Sequence, residues 1–458
     1  MAQRYIYDSL YGPIFIDDPV IWNIIISPEL QRLREVRLCN INSLCLPGGA
    51  NINRFEHAIG TYRLACETLS HWPALNPIYD EERRNFLIAA LLHDVVSSAF
   101  GHSLEYIESK EGFDHEEAFR YVIAGIDNDE YNYEIATIEP IFFGLPRSLI
   151  RIIKQTDIEQ ISNYIMGKGK FGTVLNNTMD LDNIDNVYRM AYHIGLIHSG
   201  EVPLTIAGSL WVDRGQLRIK KDAIKFVDDW YALRRRLYQF LLLNPEEFSA
   251  KCMLTDAIEY SKRTLIHPFN WYDVDFELVQ KLYNTYMSKN KYDTINISYS
   301  FEISQIISRL MTGNLYGCLA IYSTETIEIH NKIMDFAQKL CLEEAINNHF
   351  IGFKEQLGIP SRFDYSQVAL HSIYDVNKTQ RQIKIITEDD NEIVIGDNLQ
   401  RVLLGVFFKN INLNIISLDN VPQSTLEKIR EEIRLLLIEI LNDDSISSIE
   451  LHGEINEC

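Results

Sequence analysis

Residues 80–94 read DEERRNFLIAALLHD. Apolar Phe86, Leu87, Ala90 and Leu91 recur on one face and Asp80 can cap the start, so the spacing predicts an amphipathic helix. The run closes on His93 followed directly by Asp94. Adjacent helical residues point about 100° apart, so this imidazole and carboxylate share an ion only if it sits over the helix side. Other ligands must then arrive from elsewhere in the chain. His57, in NRFEHAIGT (residues 53–61), can bring a second imidazole, and the group Asp180, Asp182 and Asp185 can bring a second carboxylate. A mixed shell of this kind suits a divalent transition metal (Fe, Mn, Zn or Ni) and leaves positions open for water and phosphate oxygens. Alone, a His-Asp dipeptide is weak, because a histidine at a helix end commonly serves structure.

Helical periodicity dominates on either side of that run. Leu149, Ile152 and Ile153 open one amphipathic stretch, and Ile184, Val187, Tyr188 and Ala191 mark another. Val227, Trp230, Tyr231, Leu233, Leu237 and Phe240 continue the pattern around a basic run, Arg234–Arg236, which reads first as a solvated face. The character changes near the end. Residues 381–386 and 392–395 are β-like runs around a turn, Val402–Phe408 extends a strand or closes a helix, and Ile411–Ile416 is a further strand candidate. Pro422 then opens a long helix from Ser424 to about Asn442. The expected fold is mainly α: a helical core over 1–345 and a smaller α+β C-terminal lobe over 346–458 for regulation or assembly. Residues 285–300 read as an exposed loop.

The full chain has 458 residues, with 43 Lys+Arg against 64 Asp+Glu and a formal net charge of −21. That balance argues against a non-specific grip on nucleic acid, though not against a local nucleotide pocket. No uncharged apolar run reaches a membrane span, and the N-terminus lacks a secretory pattern. Seven cysteines form no CxxC pair. Reduced thiols and a cytoplasmic location are the expectation.

Motif order adds a further layer. DSLYGPIFI (8–16), SPELQRLREVRLCNI (27–41), RFEH (54–57), LLHD (91–94), DHEEA (114–118) and MDLDNIDNVYRMAYHIGL (179–196) follow one another. ALRRRLYQF (232–240), RQIKII (381–386) and LQRVLLGVFFKN (399–410) come later. This series resembles the HD-domain deoxynucleoside triphosphate triphosphohydrolases. It is similar to the catalytic core of the animal dNTPase that joins a SAM and an HD domain, with no SAM domain expected here.

The resemblance implies His57, His93, Asp94 and Asp182 as metal ligands, with Mg a candidate second ion. It implies Arg54 as the α-phosphate contact, His102 and His115 as acid–base histidines, and Leu38 and Tyr238 beside the sugar. Arg235, in the basic run, is placed near the phosphate tail. It also implies hydrolysis of dNTPs to deoxynucleoside and inorganic triphosphate, a nucleotide effector, and a homotetramer or other homo-oligomer. Depletion of nucleotide pools during phage infection is the role this activity would have in a bacterium.

Simpler readings stand beside these. Arg54 can be a salt bridge to Glu56 or Asp182, and His115 can be a solvated helix start after Asp114. The chain also departs from the family. Ser97 stands where a histidine is usual, Asn183 and Asn186 replace a lysine and a tyrosine, and Trp230 replaces a phosphate arginine. Ile26 replaces the acid that reads an activating guanine, while Leu38 and Cys39 replace the glutamine and leucine that read the sugar. Two other functions therefore remain open. One is an HD phosphohydrolase acting on a monophosphate, alarmone or cyclic dinucleotide. The other is a nucleotide-sensing scaffold with a decayed site.

Overall fold

Three helices meet around the His and Asp motifs. In the computed structural model they are Arg54–Ser70, Asp80–Leu92 and Leu181–His193, and the first packs against both others. The structure describes residues 4–38, 51–101, 115–126, 140–154, 156–262, 270–284, 294–351, 368–376, 381–409 and 421–449.

Each helix has a local reason to begin where it does. Asn53 Oδ1 accepts the Glu56 N–H at 2.9 Å, and Asp180 Oδ1 accepts the Asn183 N–H at 2.7 Å. Caps of this type stabilise a helix by about 1 kcal/mol. Asp80 is not the cap that the sequence suggests. It is the first helical residue after Tyr79, and with Glu81 and Glu82 it sets negative charge against the positive helix end. Glu82 Oε2 also accepts the Tyr79 N–H at 3.1 Å. Phe86, Ala89, Ala90, Ala58, Leu64, Ala65, Ile184 and Val187 all lie in one buried core.

An N-terminal hairpin, Tyr5–Asp8 with Gly12–Phe15, lies against the Arg54–Ser70 helix. The Leu149–Ile153 and Ile224–Leu243 helices also form, as their periodicity predicts.

The sheets join distant parts of the chain. Strands Leu210–Asp213 and Gln216–Ile219 form a hairpin, and Ile383–Thr387 with Glu392–Ile395 forms a second. The two hairpins unite through a parallel pairing of Arg218 with Ile386 and Ile219 with Thr387. A second sheet runs in the order 447–448, 317–324, 400–408, 368–376, all antiparallel. Strand Gly317–Thr324 thus precedes residue 346 yet sits in the same sheet as the C-terminal strands, so both sheets join chain from either side of that position.

Gln400–Phe408 is wholly a strand. Leu403 and Phe407 face a core with Phe248, Met253 and Ile307, while Val402, Leu404 and Val406 face Ile429, Ile433 and Leu437. A strand buried on both faces reads as a continuous apolar run, which explains why its periodicity alone did not type it. The C-terminal helix spans Gln423–Leu441, with Pro422 as its N-cap. Residues 285–300 are not all loop: a helix runs from Thr294 to Thr312, while 285–293 lie outside the described residues. Ile411–Ile416 lie outside them as well.

Among the described residues, no helix is long and apolar enough to cross a membrane.

Candidate metal centre

His57 and His93 aim the same ring nitrogen at one point. His93 Nδ1 lies 2.9 Å from the Ala90 carbonyl, which can only accept, so Nδ1 carries the proton. His57 Nδ1 lies 2.7 Å from Asp185 Oδ2, and Arg189 keeps that carboxylate ionised. Both Nε2 atoms are thereby turned inward, 3.2 Å apart. Asp182 Oδ1 lies 2.8 Å from His57 Nε2 and 3.6 Å from His93 Nε2. Asp94 Oδ2 lies 3.9 Å from the first and 3.8 Å from the second. Ligands about 2.0–2.2 Å from a shared ion must lie within roughly 4.4 Å of each other; His57, His93 and Asp94 satisfy this together, and Asp182 Oδ1 satisfies it toward the two imidazoles.

The donor set fits a divalent cation: two imidazole nitrogens and the Asp94 carboxylate converge, Asp182 meets the same two nitrogens, and each is an acceptor when neutral His is paired with ionised Asp. His57, His93 and Asp94 are buried, whereas the Asp182 side chain is 36% exposed. The open side, where water and phosphate can enter, is therefore the Asp182 side.

The same convergence shifts protonation. Burial opposes charge on His57, but its bonds to Asp182 and Asp185 win and raise the imidazole to about 10. Burial would raise Asp94, yet Arg54, His93 and His115 hold it far below the usual carboxylate range. Asp182 is likewise held low by His57 and His93 against its burial.

The three acids of the 180–185 segment have separate placements. Asp180 caps the helix, Asp182 faces the two Nε2 atoms, and Asp185 grips the far side of His57. Behind Asp185 stands a buried ionic network that the sequence did not single out. Arg189 Nε and Nη2 donate to Asp185 Oδ2 and Oδ1 at 2.9 and 3.0 Å, and the Tyr11 hydroxyl donates to Oδ1 at 2.8 Å. Arg189 Nη1 donates further to Asp8 and Glu56, and His193 also meets Glu56 at 3.0 Å. Gly60 makes room for it: a Cβ there would overlap Arg189 Nη2 and Asp185 Oδ1.

Arg54 pairs with Asp94 Oδ2, not with Glu56 or Asp182, the two partners its sequence context offered. Gly101 lies so close that a Cβ would overlap the Arg54 guanidinium. Ser97 Oγ donates to Asp94 Oδ1 at 3.0 Å, and His115 Nε2 stands 3.6 Å from that same oxygen. His115 thus starts its short helix facing the cluster, with a side chain 13% exposed, so it is not a solvated residue. His102 and Cys39 lie outside the described residues. Arg32, from the QRLR stretch, is fully buried and donates to the Val95 and Ser97 carbonyls at 2.9 and 2.7 Å. It pins the turn that follows Asp94.

Leu38 is buried in the core, its N–H donating to the Ile52 carbonyl at 2.8 Å. Tyr238 is half-buried beneath the Arg234 guanidinium, 4.5 Å from ring centroid to Cζ. Arg235 is exposed, so within the basic run it is Arg234 that turns inward. The helical register around Val227, Trp230 and Leu237 contains that signal, since Arg234 follows Trp230 by four residues. Trp230 is itself fully buried, and Ile26 is exposed.

Helices thus bring a His, a His-Asp pair and a later Asp together around one candidate ion site. The HD domain family model matches residues 54–154.

The chain is similar to the uncharacterized protein YwfO of Bacillus subtilis, 25% identical over 262 residues, covering 57% of this chain and 56% of that one. It is also similar to the Dictyostelium discoideum homologue of deoxynucleoside triphosphate triphosphohydrolase SAMHD1. There it is 26% identical over 284 residues, covering 57% of this chain and 51% of that one. The chain thus spans about half the length of these curated relatives. In fold it is similar to a crystallised phosphohydrolase of Bacteroides thetaiotaomicron, with a TM-score of 0.60 and 17% identity, covering 89% of this chain and all of that one.

Proposed function

We propose that this protein hydrolyses deoxynucleoside triphosphates to deoxynucleoside and inorganic triphosphate. The observation that carries the reading is the placement of Arg54 and His115 on opposite oxygens of Asp94, beside the two inward Nε2 atoms. The named dNTPase among the relatives supports the substrate class. His57, His93, Asp94 and Asp182 would hold a divalent transition metal, with Mg as a candidate second ion. When bound, such a metal supplies a water of lowered pKa and a clamp for a phosphate oxygen.

The chain's own residues do the rest. Arg54 offers a planar fork of donors to the α-phosphate, already aimed by its pairing with Asp94. Attack by water forms one P–O bond and breaks the bond from phosphorus to the sugar 5′-oxygen. His115 gives that departing oxygen its proton, and the attacking water's proton returns to solvent or the histidine. Asp185 and Arg189 keep His57 from turning. Draining dNTP pools, as in antiphage defence, is the role that follows from this activity.

A second reading is an HD phosphohydrolase of another nucleotide. Asn183 and the buried Trp230 favour it, because neither places a cation where a phosphate tail would run. Incubating the metal-loaded protein with each dNTP, NTP, monophosphate and cyclic dinucleotide, then separating the products, decides between them. Inorganic triphosphate with free deoxynucleoside is the expected product. Orthophosphate or pyrophosphate as the only released anion would overturn the proposal.

A further inference from the structure

One carboxylate stands behind both ends of Arg54. Asp275 opens the helix Asp275–Asn284 and is buried. Its Oδ2 accepts the Arg37 N–H at 3.1 Å, and its Oδ1 accepts the Phe100 N–H at 2.7 Å. Residues 37 and 100 lie in two segments that converge on Arg54. The first supports its backbone: Arg37 forms an antiparallel bridge with Asn53, and the Val36 carbonyl accepts the Arg54 N–H at 2.8 Å. The second bears on its side chain, because Gly101, next after Phe100, is the residue packed against the guanidinium.

The turn at 98–101 is strained. The Gly101 N–H donates to the Ser98 carbonyl at 2.9 Å, and Phe100 and Gly101 have φ of +55° and +53°. Glycine adopts such a backbone freely, but phenylalanine holds it only where its surroundings enforce it. Two restraints do so here: the Phe100 ring joins the buried cluster of Phe248 and Met253, and Asp275 fixes its N–H. The stretch between Asp94 and this turn is braced from the same place. The Asp273 carbonyl accepts from Arg32 Nη1 at 3.2 Å, while Nη2 of that guanidinium holds the Val95 and Ser97 carbonyls. Negative charge at a helix start would by itself account for an aspartate. This one instead directs its two oxygens to segments 238 and 175 positions away.

We propose that Asp275 is a positioning residue: its carboxylate sets the Arg54 guanidinium by holding both the segment that anchors the Arg54 backbone and the turn that packs on its side chain. The inference rests on the reading above in which Arg54 meets a substrate phosphate. It extends the site to a helix outside residues 54–154.

A double-substitution cycle on the metal-loaded full chain tests it, with inorganic triphosphate binding and dNTP turnover as separate readouts. Asp275→Ala should lower triphosphate affinity and kcat/KM by about 10–100-fold, the range for a displaced binding group, with metal content retained. In an Arg54→Ala background the same change should lower either readout by less than about 3-fold, because the group it positions is gone. Asp275→Asn keeps the side-chain shape and one acceptor, so it should recover part of the loss, and it takes the place of Asp275→Ala in the cycle if that variant fails to fold. Lys281→Ala removes the 2.6 Å ion pair between this helix and Asp273, and it should lower the melting temperature while leaving kcat/KM at the parent value. Equal losses with and without Arg54, parent-level affinity and turnover in Asp275→Ala, or a turnover loss in Lys281→Ala as large as that of Asp275→Ala would each overturn the proposal. Triphosphate affinity that depends on Asp275 through Arg54, with no dNTP hydrolysis by the parent, would retain the positioning role and remove the dNTPase reading. Hydrolysis of dNTPs that is indifferent to Asp275 would do the opposite.

Discussion

Asp185 holds His57 from behind: Oδ2 accepts the Nδ1 proton at 2.7 Å, while Asp182 meets the opposite nitrogen at 2.8 Å. One carboxylate orients the ring and the other faces the ion site. Substitutions at these two positions should therefore fail differently. Asp185→Asn should lower metal affinity by about 10–100-fold, the range for lost orientation of a ligand. Asp182→Ala should lose metal and turnover together. Competition with a graded chelator, followed by metal analysis, measures both. Full metal and turnover in Asp182→Ala alongside loss of both in Asp185→Ala would reverse the assignment.

His115 faces Asp94 without belonging to the convergent set. His115→Ala should keep its metal and lower kcat by about 10²–10⁴-fold, the span for lost acid–base assistance. Single-turnover rates at saturating substrate, with metal content measured on the same sample, give the answer. Near-normal rates would remove His115 from the proton path.

Gly60 has no room for a methyl group. Gly60→Ala drives a Cβ into the Asp185–Arg189 pair, so it should destabilise the fold by about 1–3 kcal/mol as overpacking does. Thermal melts should show the drop, and metal affinity should fall with it because His57 loses its backing. A melt equal to the parent's would mean that the pair relaxes freely.

Glu247 gives a pH signature away from the metal. Burial, then the neighbouring Glu246, pushes its carboxyl up to about 7 from 4.5. Its Oε1 has no hydrogen-bond partner among the described residues. Between those two values the folded state holds a proton that the unfolded state has lost, so stability falls as pH rises through this window. Glu247→Gln should flatten that decline and raise the melting temperature at pH 8. Urea midpoints from pH 4.5 to 8 check it, and an unchanged slope would count against a buried proton at this position.

We propose that the chain assembles with itself, as the dNTPase reading implies. Sedimentation with and without nucleotide should show a homo-oligomer, a tetramer being the expected size. Monomer alone at assay concentrations would refute this.

Much of the helical part was legible in the chain. Ile184, Val187, Tyr188 and Ala191 repeat with helical spacing, and the Leu181–His193 helix carries them on its buried side. Pro422 likewise marks the start of the last helix. Pairing across long separations leaves no such periodic trace, so the union of 216–219 with 383–387 was not visible. The centre was legible as a set of residue types, since His57, His93, Asp94 and an acid of the 180–185 segment do meet. What failed was direction. Three consecutive arginines cannot reveal which one points inward, and only the register set by Trp230 and Leu237 turns Arg234 in and leaves Arg235 out. Arg54 offered several acidic partners, and the choice of Asp94 depends on how the two helices are brought together. The buried network of Asp8, Tyr11 and Arg189 combines residues 181 positions apart, beyond any local pattern.

The parallel pairing of Arg218 with Ile386 has a consequence during synthesis. The Arg218 side chain also donates to the Thr387 carbonyl, 169 positions further on. A ribosome that has delivered every metal-site residue has therefore still to make the strand that covers Gln216–Ile219. Until then the growing chain presents a bare strand edge, the kind of template on which other chains aggregate. Chaperone demand should fall on that interval, and shortened versions stopping before residue 383 should inherit the exposed edge permanently, even with every candidate metal ligand in place.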